Sequence, residues 1–274
     1  MLENIFENVR KKHPLVHCIT NYVTVNDCAN ILLAAGASPI MADDIGEVRE
    51  ITAICNALVI NIGTLNARTI TSMMAAGKEA VRLGHPVVLD PVGAGASALR
   101  TDTAFKLMDE IQFTVIRGNI SEIKTIAKGS GTTKGVDADV SDAVTETNLS
   151  EAVRFVKEVS RQKRSVIAVT GAIDIVADDE KAYIIRNGHP MMSKITGTGC
   201  MLSAITSAYC AANPEDTIRA AAASVAAMGI CGEIAFRNTA QLEGGTGMFR
   251  TMLIDAMSGL DSEAFLKGEK IEIM

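Results

Sequence analysis

The sequence lacks the signatures of several common functional classes. Its 26 Lys and Arg residues are fewer than its 32 Asp and Glu residues, and the net charge of −6 argues against nucleic-acid binding, which needs a basic face. Its 6 cysteines form no CxxC pair and no Cys/His zinc spacing, so we expect reduced, mostly buried thiols in a cytoplasmic protein. No apolar h-region follows Met1, so we expect no secretory signal.

Three common enzyme motifs are also missing. The sequence contains no P-loop of the form GxxxxGK[ST], no GxGxxG after the first predicted strand and no GxSxG nucleophile elbow. Its 4 histidines have no partner at the spacing of a metal site or a catalytic triad, so we interpret them as structural or surface residues. A classical P-loop or dinucleotide fold and a serine hydrolase are therefore not supported.

Short β-branched runs alternate with longer helical segments along the chain. Predicted strands cover 15–20, 39–41, 57–62, 86–90, 113–117 and 165–170. Because these strands are almost continuously apolar, the pattern predicts an α/β fold with a mainly parallel central sheet and helices on both faces. A hairpin at 173–187 would add an antiparallel edge. We expect one domain over residues 1–274, since no repeat or linker interrupts it, and a surface loop at 129–142.

Two long apolar runs near the end of the chain need separate interpretation. The uncharged run 195–214 is about long enough to span a bilayer, but it begins with Thr-Gly-Thr-Gly and carries further polar residues. We therefore predict a loop followed by a buried helix, and no membrane partner. The run 220–232 is apolar enough to be wholly buried, either in an oligomer interface or as a central core helix.

The segment Gly197-Thr198-Gly199-Cys200 opens one of these runs and is the most informative motif. Its glycines allow a sharp turn directly before a predicted helix. The first amides of a helix lack intrahelical partners and lie at the positive end of its dipole, so they bind anions. The same field would lower the pKa of the Cys200 thiol. The alternative is a plain glycine turn beside a structural cysteine.

Further polar residues follow the predicted strands, where ligands bind in open parallel sheets. Asp90 and Glu122 are oxygen ligands suited to Mg²⁺, Arg117 could clamp a phosphate, and Thr170 ends another strand. The alternatives are a turn-capping Asp90, a first-turn Glu122 favoured by the helix dipole, and a surface arginine.

The segments at 20–26 and 37–41 could line a pocket for a compact, partly apolar ligand. They contain small and polar residues, a proline and a methionine. The alternative is ordinary loop and core packing.

The chain resembles the hydroxyethylthiazole kinase family of the ribokinase-like superfamily over almost its whole length. The resemblance is carried, in order, by HCITNYVTVNDCAN, SPIMADD, ALVINIGTLN, PVVLDPVGAGAS, IRGNISEI, AVTGAIDIV, ITGTGCMLSA and GGTGMFR. It implies a ribokinase-like fold and transfer of the γ-phosphate of ATP to the primary alcohol of 4-methyl-5-(2-hydroxyethyl)thiazole, with Mg²⁺ as cofactor, in thiamin salvage.

The resemblance also implies roles for particular residues. It implies a homotrimer whose thiazole pocket lies at the subunit interface. One subunit would contribute Asn21, Val23 and Met41 to this pocket, and its neighbour would contribute Gly197. The implied roles are substrate binding by Asn21, Val23, Met41 and Gly197, ATP binding by Arg117 and Thr170, an anion hole at Gly197, Thr198, Gly199 and Cys200, and organisation of magnesium and phosphate by Asp90 and Glu122.

Most members of the superfamily carry an aspartate where this chain has Cys200. We hypothesise that Cys200 assists deprotonation of the alcohol, provided that the helix start lowers its pKa. Two alternatives stay open: a hydroxymethylpyrimidine or pyridoxal kinase of the same superfamily, and a non-catalytic nucleotide-binding module. The cysteine argues against the first, and the intact strand-end residues argue against the second.

Overall fold

The computed structural model describes residues 2–127 and 143–274, so the loop predicted at 129–142 lies outside the described residues. The described strands are β1 (Leu15–Ile19), β2 (Ser38–Ile40), β3 (Ala57–Asn61), β4 (Val87–Asp90), β5 (Val115–Asn119), β6 (Val166–Thr170), β7 (Asp174–Ala177), β8 (Ala182–Ile185) and β9 (Ile271–Ile273). The described α-helices are α1 (Leu2–Lys12), α2 (Val25–Ala35), α3 (Val48–Ile54), α4 (Ala67–Leu83), α5 (Ala98–Glu110), α6 (Ile120–Ala127), α7 (Leu149–Lys163), α8 (Thr198–Ala212), α9 (Thr217–Gln241), α10 (Thr246–Gly259) and α11 (Ser262–Gly268).

In the described part of the chain, nine strands form one sheet in the order β2-β1-β3-β4-β5-β6-β7-β8-β9. The first six strands in this order pair in parallel. The last three are antiparallel and form one edge. The predicted mainly parallel sheet and its antiparallel hairpin are both confirmed, and β9 extends that edge by one strand.

Each face of the sheet has its own hydrophobic core, because successive side chains of a strand point to opposite faces. On β3, for example, Val59 belongs to one core, whereas Leu58 and Ile60 belong to the other. Helices α1, α2 and α8–α11 cover the first core, and α3–α7 cover the second. The predicted helices on both faces are therefore confirmed.

Helix α9 is buried in the first core. By length and composition it could cross a membrane, but 78% of its most apolar window is buried inside the protein. All residues of the run 220–232 are buried within the single chain, which confirms the interpretation as a core helix. The run 195–214 consists of a partly exposed turn followed by the buried helix α8, also as predicted.

Four of the parallel strands end in polar residues at the same edge of the sheet. These are Asn61, Asp90, Asn119 and Thr170, the last residues of β3, β4, β5 and β6. Asn61 pairs in register with Asp90, and Asn119 with Thr170. Strand β5 lies two residues later than predicted, so Arg117 is within it, and its guanidinium contacts Asp90 and Thr170 at the ends of the two neighbouring strands. This edge carries the candidate site.

Candidate functional site

Asp90 is the most buried acidic side chain of the site, with no exposed surface. Its Oδ2 accepts hydrogen bonds from Asn61 Nδ2 (2.9 Å) and from the Ser203 hydroxyl on α8 (2.8 Å). Its Oδ1 faces Arg117 Nη1 at 3.5 Å. Burial raises the pKa of Asp90, and the Arg117 charge and these hydrogen bonds oppose the rise. The carboxylate is thus fixed by three donors from three different elements.

Two asparagine side chains connect Asp90 to Cys200. Asn61 Nδ2 donates to Cys200 Sγ (3.3 Å) as well as to Asp90. Asn21 Nδ2 donates to the Asn61 Oδ1 (3.1 Å) and to Cys200 Sγ (3.2 Å). The sulfur therefore accepts from two amide groups, which leaves its own proton directed elsewhere or available for a bound ligand.

Cys200 is half-buried in the first turn of α8. Burial raises the pKa of its thiol and the Asp90 charge raises it further, while the hydrogen bonds from Thr24 and Asn21 and the charge of Arg117 lower it less. The prediction of a lowered pKa is therefore wrong. The helix start gives a positive field, but the site also desolvates the sulfur and places a carboxylate near it, and both effects disfavour a thiolate.

The glycine turn before α8 packs on the residue that precedes α2. Gly197 is left-handed, with φ of 91°, and a Cβ built there would lie 2.6 Å from Thr24 Cγ2. The Thr24 hydroxyl donates to Asn21 Oδ1 (3.1 Å). The turn, the start of α2 and the Asn21 amide thus form one contact surface around Cys200, and Gly197 has no room for a side chain.

Arg117 lies between the strand ends and the start of α8. Its Nη2 donates to the Thr170 hydroxyl at 2.6 Å, and its guanidinium lies so close to Gly199 that a Cβ there would be 2.4 Å from Nη1. The buried Nε has no hydrogen-bond partner among the residues that the structure describes. A planar cation that lies next to the first amides of a helix and still has an unused N–H donor is suited to bind a phosphate group.

Glu122 closes the other side of the site. Its two oxygens accept from the backbone amides of Gly93 and Asn119, each at 2.8 Å, while Asn119 Oδ1 accepts from the Glu122 amide at 2.8 Å. Asn119 and Glu122 thus form a reciprocal cap of α6. Burial raises the pKa of Glu122, and the charge of Asp90 raises it further.

The two carboxylates fit a cation that is shared with a bound phosphate. In the described part of the chain, no three His, Cys, Asp or Glu side chains cluster as a metal site. Asp90 and Glu122 repel each other, however, and Arg117 is the cation that offsets this repulsion. Magnesium commonly takes one or two carboxylates and completes its shell with waters and phosphate oxygens. The donor set is therefore suited to Mg²⁺ bound together with a polyphosphate.

A cavity of about 550 Å³ is lined by Arg117 and Gly199 but not by Cys200. This volume is typical of small-molecule sites, at roughly 300–1,000 Å³. Its polar part is lined by Arg117, Asn119, Thr170, Asp174, Thr198 and Gly199, and its more apolar part by His189, Met192, Leu202, Val225 and Met228. Gly199 thus borders the cavity, whereas the sulfur of the next residue, Cys200, contacts Asn21 and Asn61.

The sequence profile of the hydroxyethylthiazole kinase family matches residues 6–263. The chain belongs to the hydroxyethylthiazole kinase family. It is 61% identical over 263 residues to the hydroxyethylthiazole kinase of Clostridium acetobutylicum, covering 96% of both chains. It is 50% identical over 268 residues to that of Desulfovibrio desulfuricans, covering 95% of this chain and 94% of the relative.

Solved structures agree with this family assignment. The hydroxyethylthiazole kinase of Pyrococcus horikoshii matches 100% of this chain with 98% of its own, at a TM-score of 0.87 and 33% identity. A ribokinase-like protein of Enterococcus faecalis matches 95% of the chain at a TM-score of 0.61 and 12% identity, covering 95% of its own length. The latter likeness shows the fold alone, and it confirms the predicted ribokinase-like fold.

In this member of the hydroxyethylthiazole kinase family, most of the predicted site residues meet. The structure brings together Asn21, Asp90, Arg117, Thr170, Gly197, Thr198, Gly199 and Cys200, with Glu122 linked through the Gly93 loop. Val23 is 57% exposed, and Met41 is partly buried against the first core, so neither joins this hydrogen-bond network.

One implication of the resemblance needs correction. It placed Asn21 on one subunit and the glycine turn on its neighbour, but one chain alone brings Asn21 to Cys200 and Thr24 to Gly197. The proximity of these groups therefore needs no second subunit. Whether Val23 and Met41 complete a neighbouring subunit's pocket stays a prediction.

Sequence reasoning missed Asn61, Ser203 and His189. Asn61 could have been found by the rule that identified Asp90, because it is the polar last residue of an apolar strand. Ser203 lies three residues after Cys200, and so on the same side of α8. His189 lines the cavity, stacks on Phe236 with ring centroids 3.5 Å apart and precedes a 3₁₀ helix, Pro190–Lys194, and no spacing signals that role.

Proposed function

We propose that this chain transfers the γ-phosphate of ATP to the primary alcohol of 4-methyl-5-(2-hydroxyethyl)thiazole, in thiamin salvage. The observation that carries the proposal is the position of the start of α8, which contacts both the cavity and the network of Asn21, Asn61 and Cys200. Gly199 and Arg117 face the large cavity, and Cys200 faces the asparagine network. A phosphate at the amides of residues 198–200 would lie between a nucleotide in the cavity and an alcohol beside Cys200.

The part of the site that would bind the phosphate donor is suited to a nucleoside triphosphate. Arg117 and the first amides of α8 supply fixed positive charge where negative charge develops on the transferred group, which is how phosphoryl transfer is mainly catalysed. Thr170 fixes the guanidinium by its 2.6 Å hydrogen bond. Asp90 and Glu122 would hold Mg²⁺, which neutralises charge on the phosphate oxygens when bound.

On the acceptor side, Cys200 is the group proposed to take the proton of the alcohol. Its raised pKa keeps it almost entirely a thiol at neutral pH, so only its small thiolate fraction can accept the proton that the alcohol loses when its oxygen bonds to phosphorus. Gly197 lets the turn pack closely against Thr24, and Asn21 orients the sulfur by its 3.2 Å hydrogen bond.

We also propose that the chain acts as a homotrimer of single-domain subunits in the cytoplasm, with no nucleic-acid or membrane partner. Tyr22 and Val23 support an interface near the site, since they are 80% and 57% exposed and directly follow Asn21. Apolar side chains that are this exposed next to a site are suited to burial against a second copy of the chain. In that interface, Val23 and Met41 of one subunit would complete the thiazole pocket of its neighbour.

The function is tested by measuring ADP release with Mg²⁺, ATP and a panel of acceptor alcohols: hydroxyethylthiazole, hydroxymethylpyrimidine and pyridoxal. Turnover with the thiazole alone supports the proposal. Turnover with either of the other acceptors indicates a sister kinase, and ATP binding without any turnover indicates a non-catalytic module.

A further inference from the structure

An ion pair joins α2 to α10 next to the glycine turn. Arg250 Nε donates to Asp27 Oδ1 (2.9 Å) and Oδ2 (3.0 Å), and Arg250 Nη2 also donates to Oδ1. The Asp27 side chain is 5% exposed, whereas that of Arg250 is 47% exposed. A buried carboxylate is thus compensated by one arginine from a helix far away in the sequence.

The carboxylate lies close to the proposed anion site. A Cβ built on Gly197 would be 3.9 Å from Asp27 Oδ2, on the side where Thr24 also contacts the turn. An unpaired negative charge at this place would act against a phosphate at the amides of residues 198–200. Arg250 therefore removes a repulsion that the phosphate would otherwise meet.

The pair also fixes the backbone that holds Cys200. Asp27 is in the first turn of α2, three residues after Thr24, which precedes the helix, and six after Asn21. Thr24 donates to Asn21 Oδ1, and Asn21 donates to Cys200 Sγ. A shift of the start of α2 would therefore move both the contact with Gly197 and the amide that orients the sulfur.

We propose that Asp27 and Arg250 are positioning residues for phosphate transfer, which hold the start of α2 against the glycine turn and keep the charge beside it balanced. The inference rests on the proposed function, and neither side chain needs to touch a substrate. Both residues lie in segments that carry the resemblance, but neither belongs to the strand ends or the helix start that form the site described above.

The test compares Arg250→Met, Arg250→Lys and the double variant Asp27→Asn/Arg250→Met with the wild type. Arg161→Met is the matched control, since Arg161 forms an exposed pair with Glu158 on α7, on the other face of the sheet. For each protein we would measure kcat and KM for the thiazole and for ATP, the thermal unfolding midpoint, and the rate of Cys200 alkylation by iodoacetamide from peptide mass spectra.

Arg250→Met should lower kcat/KM by about tenfold or more, because it leaves a buried charge beside the phosphate. Arg250→Lys should retain part of the activity, and the double variant should recover most of the loss because it removes both charges. The Cys200 alkylation rate should change in Arg250→Met and stay at the wild-type value in Arg161→Met.

The inference is overturned if Arg250→Met retains both the activity and the alkylation rate, or if the double variant is no better than Arg250→Met. It is also overturned if the loss merely follows the unfolded fraction. Should Arg250→Met fail to fold, Arg250→Lys and the double variant are judged by the same criteria. If the wild type does not phosphorylate the thiazole, the proposed function fails, and the alkylation rates alone decide whether the pair positions Cys200.

Discussion

At the scale of single residues, the site is arranged around a thiol that is difficult to ionise. Two asparagine amides donate to the Cys200 sulfur, while burial and the charge of Asp90 raise its pKa. We therefore propose that charge stabilisation comes from Arg117 and the helix amides, and that only the small thiolate fraction of Cys200 accepts the alcohol proton.

The pH profile of the wild type follows from this pKa. If the Cys200 thiolate takes the proton, kcat should rise about tenfold per pH unit from about pH 6.5 to 8.5, since a raised pKa keeps the thiolate a small, growing fraction over that range. Steady-state assays at constant ionic strength measure this. A flat profile over the same range would contradict a proton-accepting role for Cys200.

Substitution of Cys200 tests the same role independently of pH. Cys200→Asp should keep or raise the activity at neutral pH, because a carboxylate is ionised there, whereas a thiol with a raised pKa is almost entirely protonated. Cys200→Ser should be much less active. The opposite order, with activity lost in the aspartate variant and kept in the serine variant, would sink the hypothesis.

Asp174 provides a stability prediction at the cavity wall. Burial raises its pKa from 3.8 to about 7, although the Gly171 amide donates to Oδ1 at 2.8 Å. Between these pH values the folded protein retains a proton that the unfolded chain has lost. The free energy of unfolding of the wild type therefore falls as the pH rises from about 4 to 7, by up to ~1.4 kcal/mol per pH unit.

Asp174→Asn keeps the acceptor oxygen and removes this penalty. We expect its unfolding midpoint to exceed that of the wild type by several degrees at pH 8 and by much less at pH 4.5, at about 2–4 °C per kcal/mol for a chain of roughly this size. Scanning calorimetry at both pH values gives the comparison, and Asp255→Asn on the exposed side of α10 is the control. A difference that does not grow with pH would contradict the account.

At the scale of elements, α8 organises the site because its first two turns carry Gly199, Cys200 and Ser203. These residues contact Arg117, Asn21 and Asp90 respectively. The helix thus links the strand ends to the cavity proposed for the nucleotide and to the proposed acceptor side.

Gly197→Ala tests that turn. Its φ of 91° disfavours any side chain, and the new Cβ would be 2.6 Å from Thr24 Cγ2. We expect a loss of at least about 1 kcal/mol of stability and of most activity, with partial recovery in Gly197→Ala/Thr24→Ser, which removes the clashing methyl group. Gly247→Ala is the control, because a Cβ built there would meet nothing within 4 Å beyond its chain neighbours and the backbone of its own helix. Equal effects of the two alanines on kcat/KM would refute the role of the turn.

The buried parallel strands, the edge hairpin and most helices could be predicted from the sequence, whereas α1, α5 and β9 could not. The buried parallel strands are nearly all apolar, so their positions are evident. Helix α5 is mostly polar and its sequence signal is the Ser97 cap, which accepts from the Arg100 amide at 3.3 Å. Helix α1 and the three-residue strand β9 were also not predicted, since β9 depends on pairing with β8.

For the site, sequence reasoning could identify residues but not their contacts. Asp90, Arg117 and Cys200 follow from strand ends and the helix start, but the network through Asn61 depends on the register of β3 against β4. The pKa of Cys200 was predicted in the wrong direction because burial is a property of the folded chain. The Asp27–Arg250 pair joins residues that have no local pattern in common.

At the scale of the whole molecule, one sheet between two cores holds the strand ends in place, and the surface near the site carries exposed apolar side chains. Tyr22 and Val23 directly follow Asn21, so an oligomer that covers them would also stabilise the acceptor side. The proposed trimer has about three times the mass of the 29.0 kDa chain.

The variant Val23→Glu tests the interface together with the site. We expect light scattering after size exclusion to give a trimer for the wild type and smaller species for the variant, because a charge is costly in an apolar interface. The KM for the thiazole should rise more than the KM for ATP, since the interface is proposed to complete the acceptor pocket. A monomeric, fully active wild type would contradict both proposals.

We propose that phosphate passes at the start of α8 from ATP in the cavity to a thiazole alcohol beside Cys200. The most direct measurement is ADP release by the purified wild type with Mg²⁺ and ATP, with hydroxyethylthiazole or hydroxymethylpyrimidine as acceptor and Cys200→Ala in parallel. We expect turnover with the thiazole alone and a marked loss of this activity in Cys200→Ala. Turnover with the pyrimidine alone, or none with either acceptor while ATP still binds, would contradict it.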